Sequence, residues 1–269
     1  MAGPSDKVTT ATLRARKGGE RIAVLTAYDV VFARLADAAG IDVVLVGDSL
    51  GMVVQGERNT LAVTVDDIVY HTRMVSRGVQ RAHLVADMPF MSYQVSTEDA
   101  LRNAGRIMKE TNAHAVKVEG GDTDIAARIQ AMTRAGIPVM GHLGFTPQSV
   151  NTLGGFRVQG RAPGDQERLI EEAQRVENAG AFSLVLELVP SGVAKAVTAA
   201  VRIPTIGIGA GPDCDGQVLV LYDLLGLNDQ FKPKFLQHYA ELATDVRSAV
   251  GRFADDVRGG RYPDADHSF

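Results

Sequence analysis

Seven short, nearly continuous apolar runs recur along this chain: Ile22 to Tyr28, Val43 to Val46, His83 to Ala86, Ala115 to Val118, Pro138 to Met140, Ser183 to Val189 and Pro204 to Ile208. Amphipathic segments separate them. Runs this short, rich in Val and Ile and apolar on both faces, suit parallel strands covered by helices. The intervening segments carry helix signals. Ser96 precedes one, with Asp99 three residues on in a capping-box arrangement before Leu101, Ala104, Ile107 and Met108. Asp122 to Ala135 and Asp165 to Ala179 behave in the same way.

Three helix-to-strand joints repeat one device. Ala39-Gly40-Ile41, Ala135-Gly136-Ile137 and Ala179-Gly180-Ala181 each place Gly just past a helix, where a left-handed cap is needed. Gln217 to Leu221 reads as an eighth strand, although only Pro212 to Gly216 separates it from a Gly-rich turn, too short for a crossover helix. The chain has 269 residues and no composition break. An α/β barrel runs to about 250 residues as one domain. The expectation is a single (β/α)8 TIM-barrel domain over residues 1–269, with a helical tail from about Lys232, helix running through Val257. The Gly259 to Pro263 stretch is expected on the surface or against a neighbouring subunit.

Charge and cysteine use narrow the function classes. With 28 Lys+Arg against 32 Asp+Glu, nothing points to a nucleic-acid partner. No apolar run approaches the ~18 residues of a membrane span, and the N-terminus lacks a signal-like apolar stretch. Cys214 is the sole cysteine, so an internal disulfide or a cysteine zinc site is excluded, and a reducing cytoplasm is the expected compartment.

Polar residues interrupt the apolar runs at one end. The two-residue strand period puts Val44, Val46 and Asp48 on one face, and Val85 with Asp87. By the same parity Lys117 pairs with Glu119, Met140 with His142, and Val185 with Glu187. Asp48, Asp87, Lys117, Glu119, His142 and Glu187 are therefore expected to point into the mouth of the barrel, where the active sites of such folds lie. Each has an ordinary reading alone: a turn Asp, a core His, an ion pair across the pleat. Glu187, between Leu186 and Leu188, resists it, because an unpaired carboxylate there costs several kcal/mol. Six exceptions on one rim favour a site. Three carboxylates without cysteine suggest a hard cation such as Mg²⁺, with Asp48 and Asp87 as direct ligands and Glu119 direct or through water. Lys117 balances the remaining charge. A 2-oxo acid would then chelate the cation.

Five motifs in order carry a family resemblance: Val46-Gly47-Asp48-Ser49-Leu50-Gly51; Asp87-Met88-Pro89-Phe90; Val116-Lys117-Val118-Glu119-Gly120-Gly121; Gly141-His142-Leu143-Gly144 with Thr146-Pro147-Gln148; and Gly207-Ile208-Gly209-Ala210-Gly211. Together they resemble the ketopantoate hydroxymethyltransferases, from about Ala23 to the tail. Phe145 and Leu188 depart from the smaller or aliphatic residues expected. The resemblance implies a (β/α)8 fold, Mg²⁺, 5,10-methylenetetrahydrofolate as one-carbon donor, 3-methyl-2-oxobutanoate as acceptor, and a homo-oligomer, a decamer. It also implies Asp48, Asp87 and Glu119 as metal residues, Ser49, Asp87 and Lys117 as oxo-acid contacts, and Glu187 as proton acceptor. Asp48 then lies beside the substrate as well. His142 is expected to orient a substrate oxygen or a water.

The Gly207 to Gly211 run lacks dinucleotide-fingerprint spacing and reads as a tight turn that lets the folate pass close to backbone. Two other functions compete. A 2-oxo-acid lyase or mutase would use a similar barrel and chelate but needs a Cys near the fifth strand, whereas Cys214 follows the seventh. A non-catalytic binding protein has no need to retain buried carboxylates.

Overall fold

The computed structural model describes residues 7–229 and 231–269, which form two compact units divided at Val220/Leu221. In the first, eight parallel strands close a barrel in sequence order: β1 Ile22–Thr26, β2 Val43–Val46, β3 His83–Asp87, β4 Ala115–Glu119, β5 Val139–Gly144, β6 Ser183–Glu187, β7 Thr205–Ile208 and β8 Gly216–Leu219. This is the expected (β/α)8 TIM barrel. The eighth strand is real: Gly216 pairs with Ile22 of β1 and with Ile206 of β7. Residues 209–215 join β7 to β8 without a helix. Asp215 secures that short joint, its carboxylate accepting from Thr205 N at 2.8 Å, Gly18 N at 2.9 Å and Lys17 Nζ at 2.9 Å.

Helices α1 Thr10–Ala15, α2 Val30–Ala38, α3 Leu50–Val53, α4 Val65–Ser76, α5 Thr97–Thr111, α6 Thr123–Arg134, α7 Asp165–Asn178 and α8 Ser191–Ala200 fill the connections. Two of the three start signals cap their helices as expected, whereas α7 follows Gly164 without a side-chain cap and Asp165 is its first residue. Ser96 accepts from Asp99 N, and Asp122 from Ile125 N. The three glycine joints sit at φ +88, +85 and +99 for Gly40, Gly136 and Gly180, the left-handed conformation that L side chains avoid.

One face of every strand builds the interior. Ile22, Val24, Val43, Leu45, Val85, Ala115, Met140, Val185, Ile206 and Val218 form a buried cluster, and Val8, Leu13 and Phe182 complete it beside the strand starts. Cross-strand register keeps that parity around the barrel, from Leu45 to Val85 to Ala115 and from Lys117 to Met140 to Ser183. It corrects one expectation. Val43 and Leu45 face inward, so Val44 and Val46 turn toward the helices, and Asp48 does not reach the mouth by strand alternation.

The second unit holds α9 Leu221–Leu224 and α10 Leu242–Arg258. The helix expected from Lys232 begins ten residues later, at Leu242. The backbone N–H groups of Tyr239 and Leu242 instead donate to Leu224 and Leu225 carbonyls at 2.8 and 3.0 Å, which competes with a helical ladder. α10 exposes Val246, Val250, Phe253 and Val257, a stripe at helical spacing. The Gly259 to Pro263 stretch is exposed. Among the described residues no helix is long and apolar enough to cross a membrane.

Candidate active site

The C-terminal strand ends bring the expected polar residues together. Asp87 ends β3, Lys117 and Glu119 lie on β4, His142 on β5, and Glu187 ends β6. All but Glu187 are nearly inaccessible. Their side chains form one relay. Lys117 Nζ lies 3.1 Å from Asp87 Oδ1, 3.3 Å from His142 Nδ1 and 3.9 Å from Glu119 Oε1. His142 Nδ1 is 3.4 Å from Glu119 Oε1, and its Nε2 is 3.2 Å from Glu187 Oε2. Glu187, expected to need a partner between its leucines, finds it in His142.

Asp48 enters by a different route. β2 stops at Val46, and the Gly47-Asp48 turn carries the carboxylate over the rim to a buried position, where Asp48 N donates to Asp87 Oδ2 at 2.9 Å. A side chain at Gly47 would place its Cβ 2.7 Å from Ser49 Oγ and would push that hydroxyl aside. Ser49 Oγ in turn bonds the Tyr28 hydroxyl at 2.8 Å.

The electrostatics are those of a crowded anionic pocket. Burial, then the charges of Glu119 and Asp87, push the Asp48 carboxyl well above its usual range. Burial raises Asp87 too, against the pull of Lys117. Burial works against the Lys117 ammonium, yet Asp87, Glu119 and Asp48 outweigh it and raise its proton affinity. Burial opposes ionisation of Glu119 as well, but the His142 hydrogen bond and charge hold it below the ordinary value. His142 is disfavoured as a cation by burial and by Lys117. Hydrogen bonds to Glu119 and Glu187 reverse the balance and lift it to about 9.

A divalent cation suits this donor set. Asp87 Oδ1 and Glu119 Oε1 are buried, approached by Lys117 Nζ at 3.1 Å and by His142 Nδ1 at 3.4 Å as ion-pair partners. Together with Asp48, whose carboxyl is raised first by burial and then by the charges of Glu119 and Asp87, they gather three hard oxygen donors of the kind a divalent cation takes. Among the described residues no three acidic or histidine groups already converge as a cage.

Residues not singled out from sequence hold the set in place. Gln148, in the one-turn helix Pro147–Ser149, donates from its side chain to Asp48 Oδ2 at 2.9 Å and to Met88 O at 3.0 Å. Its backbone N–H donates to Glu119 Oε2 at 3.0 Å. Its amide oxygen accepts from Tyr93 OH at 2.8 Å and from Gln94 Nε2 at 2.9 Å. Tyr93 OH, its one hydrogen given to Gln148, also lies 3.2 Å from Glu119 O and accepts from Glu119 N. The signal for Gln148 was present in Thr146-Pro147-Gln148. Tyr93 offered none, being an aromatic residue in a loop.

The two departures from the family pattern sit beside the polar set. Phe145 is fully buried, its ring centroid 4.9 Å from that of Phe156. Leu188 adopts φ +46 and accepts from Gln159 N at 2.8 Å. Both tether the 151–164 segment. The Gly-rich run forms the expected tight turn, with Gly209 at φ +62 and Gly211 at φ +81. A Cβ at Gly211 would lie 2.5 Å from that of Ser191.

Comparison with known proteins bears on the chemistry. Among solved structures, 2,3-dimethylmalate lyase superposes with TM-score 0.60 at 17% identity, over 96% of this chain and 91% of its own. Phosphonopyruvate hydrolase, solved in complex with oxalate and Mg²⁺, gives 0.61 at 15%, over 97% and 90%. At such identities these matches establish the barrel alone. Sequence goes further. The 3-methyl-2-oxobutanoate hydroxymethyltransferase of Syntrophus aciditrophicus is 54% identical over 264 residues, 98% of this chain and 97% of its own. That of Desulforapulum autotrophicum is 55% identical over 264 residues, 98% of each. The profile of the ketopantoate hydroxymethyltransferase family matches residues 7–265. Those two full-length matches and the family profile establish that the chain belongs to the ketopantoate hydroxymethyltransferase family.

Proposed function

We propose that the barrel mouth removes the C3 proton of 3-methyl-2-oxobutanoate and directs the resulting enolate at the one-carbon unit of 5,10-methylenetetrahydrofolate, giving ketopantoate for pantothenate synthesis. The observation that carries this reading is the buried relay from Asp87 through Lys117, Glu119 and His142 to Glu187. It places a cation-seeking cluster at one end and a partly accessible carboxylate at the other.

Glu187 takes the proton. His142, charged in the neutral range and ion-paired with it through Nε2 at 3.2 Å, holds the carboxylate in place. Lys117 sits among the carboxylates as a fixed positive charge near the developing oxyanion. Ser49, held by Tyr28, receives the substrate carboxylate through its hydroxyl. Asp48 and Asp87 would hold Mg²⁺ directly, with Glu119 direct or through water. The ion, when bound, would act as a Lewis acid on the keto oxygen. The Gly209–Gly211 turn leaves backbone bare for the folate ring to pass. The oxalate and Mg²⁺ held by phosphonopyruvate hydrolase support a chelating oxo acid in a barrel of this kind.

The exposed stripe of Val246, Val250, Phe253 and Val257 supports a homo-oligomer. The buried thiol of Cys214 suits the reducing cytoplasm. No membrane or nucleic-acid partner is part of this reading.

Exchange of the C3 hydrogen for deuterium tests it. With Mg²⁺ and no folate the protein should catalyse exchange in 3-methyl-2-oxobutanoate, and EDTA should stop it. Glu187→Gln should lose it. Exchange at the wild-type rate in that variant would remove Glu187 as the base. Cleavage products formed without folate would instead favour a lyase.

A further inference from the structure

Residues 145–164 carry two arginines, Arg157 and Arg161, and no acidic residue. The stretch is pinned at two points to the end of β6. Phe145 N donates to Glu187 O at 2.8 Å, and Gln159 N donates to Leu188 O at 2.8 Å. Between these pins stands Phe156. Its ring leans on that of buried Phe145, with centroids 4.9 Å apart and 37° between planes, yet the residue is 53% exposed. A ring supported on one side and open on the other is a preformed stacking surface. The stretch also adjoins the Gly209–Gly211 turn. An added Cβ at Gly160 would lie 3.4 Å from Pro190 Cδ and 3.6 Å from Val193 Cγ1, and one at Gly211 would lie 2.5 Å from Ser191 Cβ. Both therefore abut the first turn of α8. Arg157 and Arg161 are exposed, and among the described residues neither forms an ion pair.

We propose that residues 156–161 form the donor-binding face of the active site. Phe156 is the platform on which an aromatic ring of 5,10-methylenetetrahydrofolate stacks, and Arg157 and Arg161 hold the carboxylates of its glutamate tail. The inference rests on the function proposed above. The transferred carbon bridges a pterin nitrogen and the nitrogen on the p-aminobenzoyl ring. Whichever way that carbon meets the enolate, a flat ring lies close to the mouth. Stacking of a flat heterocycle on an aromatic side chain tightens binding about tenfold. The acidic mouth repels the tail, and two unpaired cations on a stretch without acids attract it.

The test titrates the full chain, with Mg²⁺ and 3-methyl-2-oxobutanoate present, with 5-formyltetrahydrofolate, which has the donor's rings and tail but no methylene to transfer. Calorimetry reads affinity, and the pterin absorption band reads stacking. Phe156→Leu keeps an apolar contact with Phe145 but offers no flat face. It should bind about tenfold more weakly and lose the absorption change, and Phe156→Tyr should restore both. Replacing Arg157 and Arg161 together by Ala should weaken binding about threefold and flatten its salt dependence. That double variant should bind 5-formyltetrahydropteroate, which lacks the glutamate, as the wild type does. Wild-type affinity in Phe156→Leu, or weaker binding with the absorption change intact, would overturn the platform. A changed oligomeric state of Phe156→Leu at wild-type affinity would make the ring a contact between copies instead. An unaltered salt dependence in the double variant would overturn the tail assignment. Exchange of the C3 hydrogen by the wild-type protein without folate separates the two readings. Exchange by a protein that does not bind the probe overturns this inference alone, and absence of exchange overturns the reading beneath it.

Discussion

Replacing Gln148 by Leu tests whether one neutral amide holds the acidic cluster in order. Leucine nearly matches glutamine in volume, so packing changes little, but four side-chain hydrogen bonds disappear: those to Asp48 Oδ2, Met88 O, Tyr93 OH and Gln94 Nε2. The four losses are unequal. Tyr93 can turn its hydrogen to Glu119 O, and Gln94, partly accessible, turns to water. Met88 O loses a donor, and Asp48 loses the one side-chain donor that favoured its ionised form. A buried carboxylate stripped of a donor costs roughly 1.5–3 kcal/mol and a neutral carbonyl about 1 kcal/mol, so the ionised variant should lose about 2–4 kcal/mol. Asp48, already raised well above its usual range, limits that cost by taking a proton. The charge then missing should appear in cation binding. Loss of an outer partner of this kind weakens a metal site roughly 10–100-fold. Urea unfolding without metal reads the first quantity, and the Mg²⁺ dependence of C3 exchange reads the second. A variant with wild-type stability and wild-type Mg²⁺ half-saturation would refute the reasoning.

Three further outcomes follow from particular contacts. Burial, with His114 nearby, depresses His83 from 6.5 to about 4, so the neutral ring favours the folded state. That contribution is complete above pH 6.5 and is lost on acidification toward 4, at about 1.4 kcal/mol per pH unit. The pH dependence of urea unfolding should be correspondingly shallower in His83→Phe; equal slopes would argue against it. Gly144→Ala forces a side chain at φ +94 with its Cβ 2.3 Å from Glu187 O, and should cost about 3 kcal/mol or more by thermal unfolding, disturbing the β5–β6 seam beside the base. Asp215→Asn keeps the shape but not the charge that accepts from Lys17, and should cost about 1.5–3 kcal/mol at pH 7. Backbone and lysine hydrogen bonds hold the Asp215 carboxyl below 3.8 despite burial, so the wild-type advantage is full above that value and should narrow as pH falls below it. A difference constant down to pH 2 would count against the charge.

The barrel was legible because covered parallel strands write themselves as short apolar runs, and seven of them stood out. β8 was fainter: Gly216-Gln217-Val218-Leu219 has an exposed polar residue inside it and no preceding helix. Alternation placed Asp87, Lys117, Glu119, His142 and Glu187 correctly because each lies within its strand. It failed for Asp48, which lies beyond the last strand residue, where a turn rather than a pleat sets direction. Tyr93 and Gln94 are uncharged loop residues and Gln148 sits in a one-turn helix, and their importance arises from meeting across long sequence separations. The start of α10 was misjudged for a related reason, since distant carbonyls claim the N–H groups that helical periodicity would assign locally.

The helix-free joint between β7 and β8 has a consequence for how the protein is made. β1 acquires its second neighbour only when Gly216 to Leu219 exist, and the Asp215 carboxylate that holds Lys17 and Gly18 arrives just before them. At about 5–20 residues per second, a ribosome needs roughly ten to forty seconds to travel from β1 to β8. Throughout that interval the first strand synthesised keeps one backbone edge unpaired, the kind of surface on which nascent chains associate. The barrel's earliest strand is thus the last to be completed, and its exposure on the ribosome is set by translation speed.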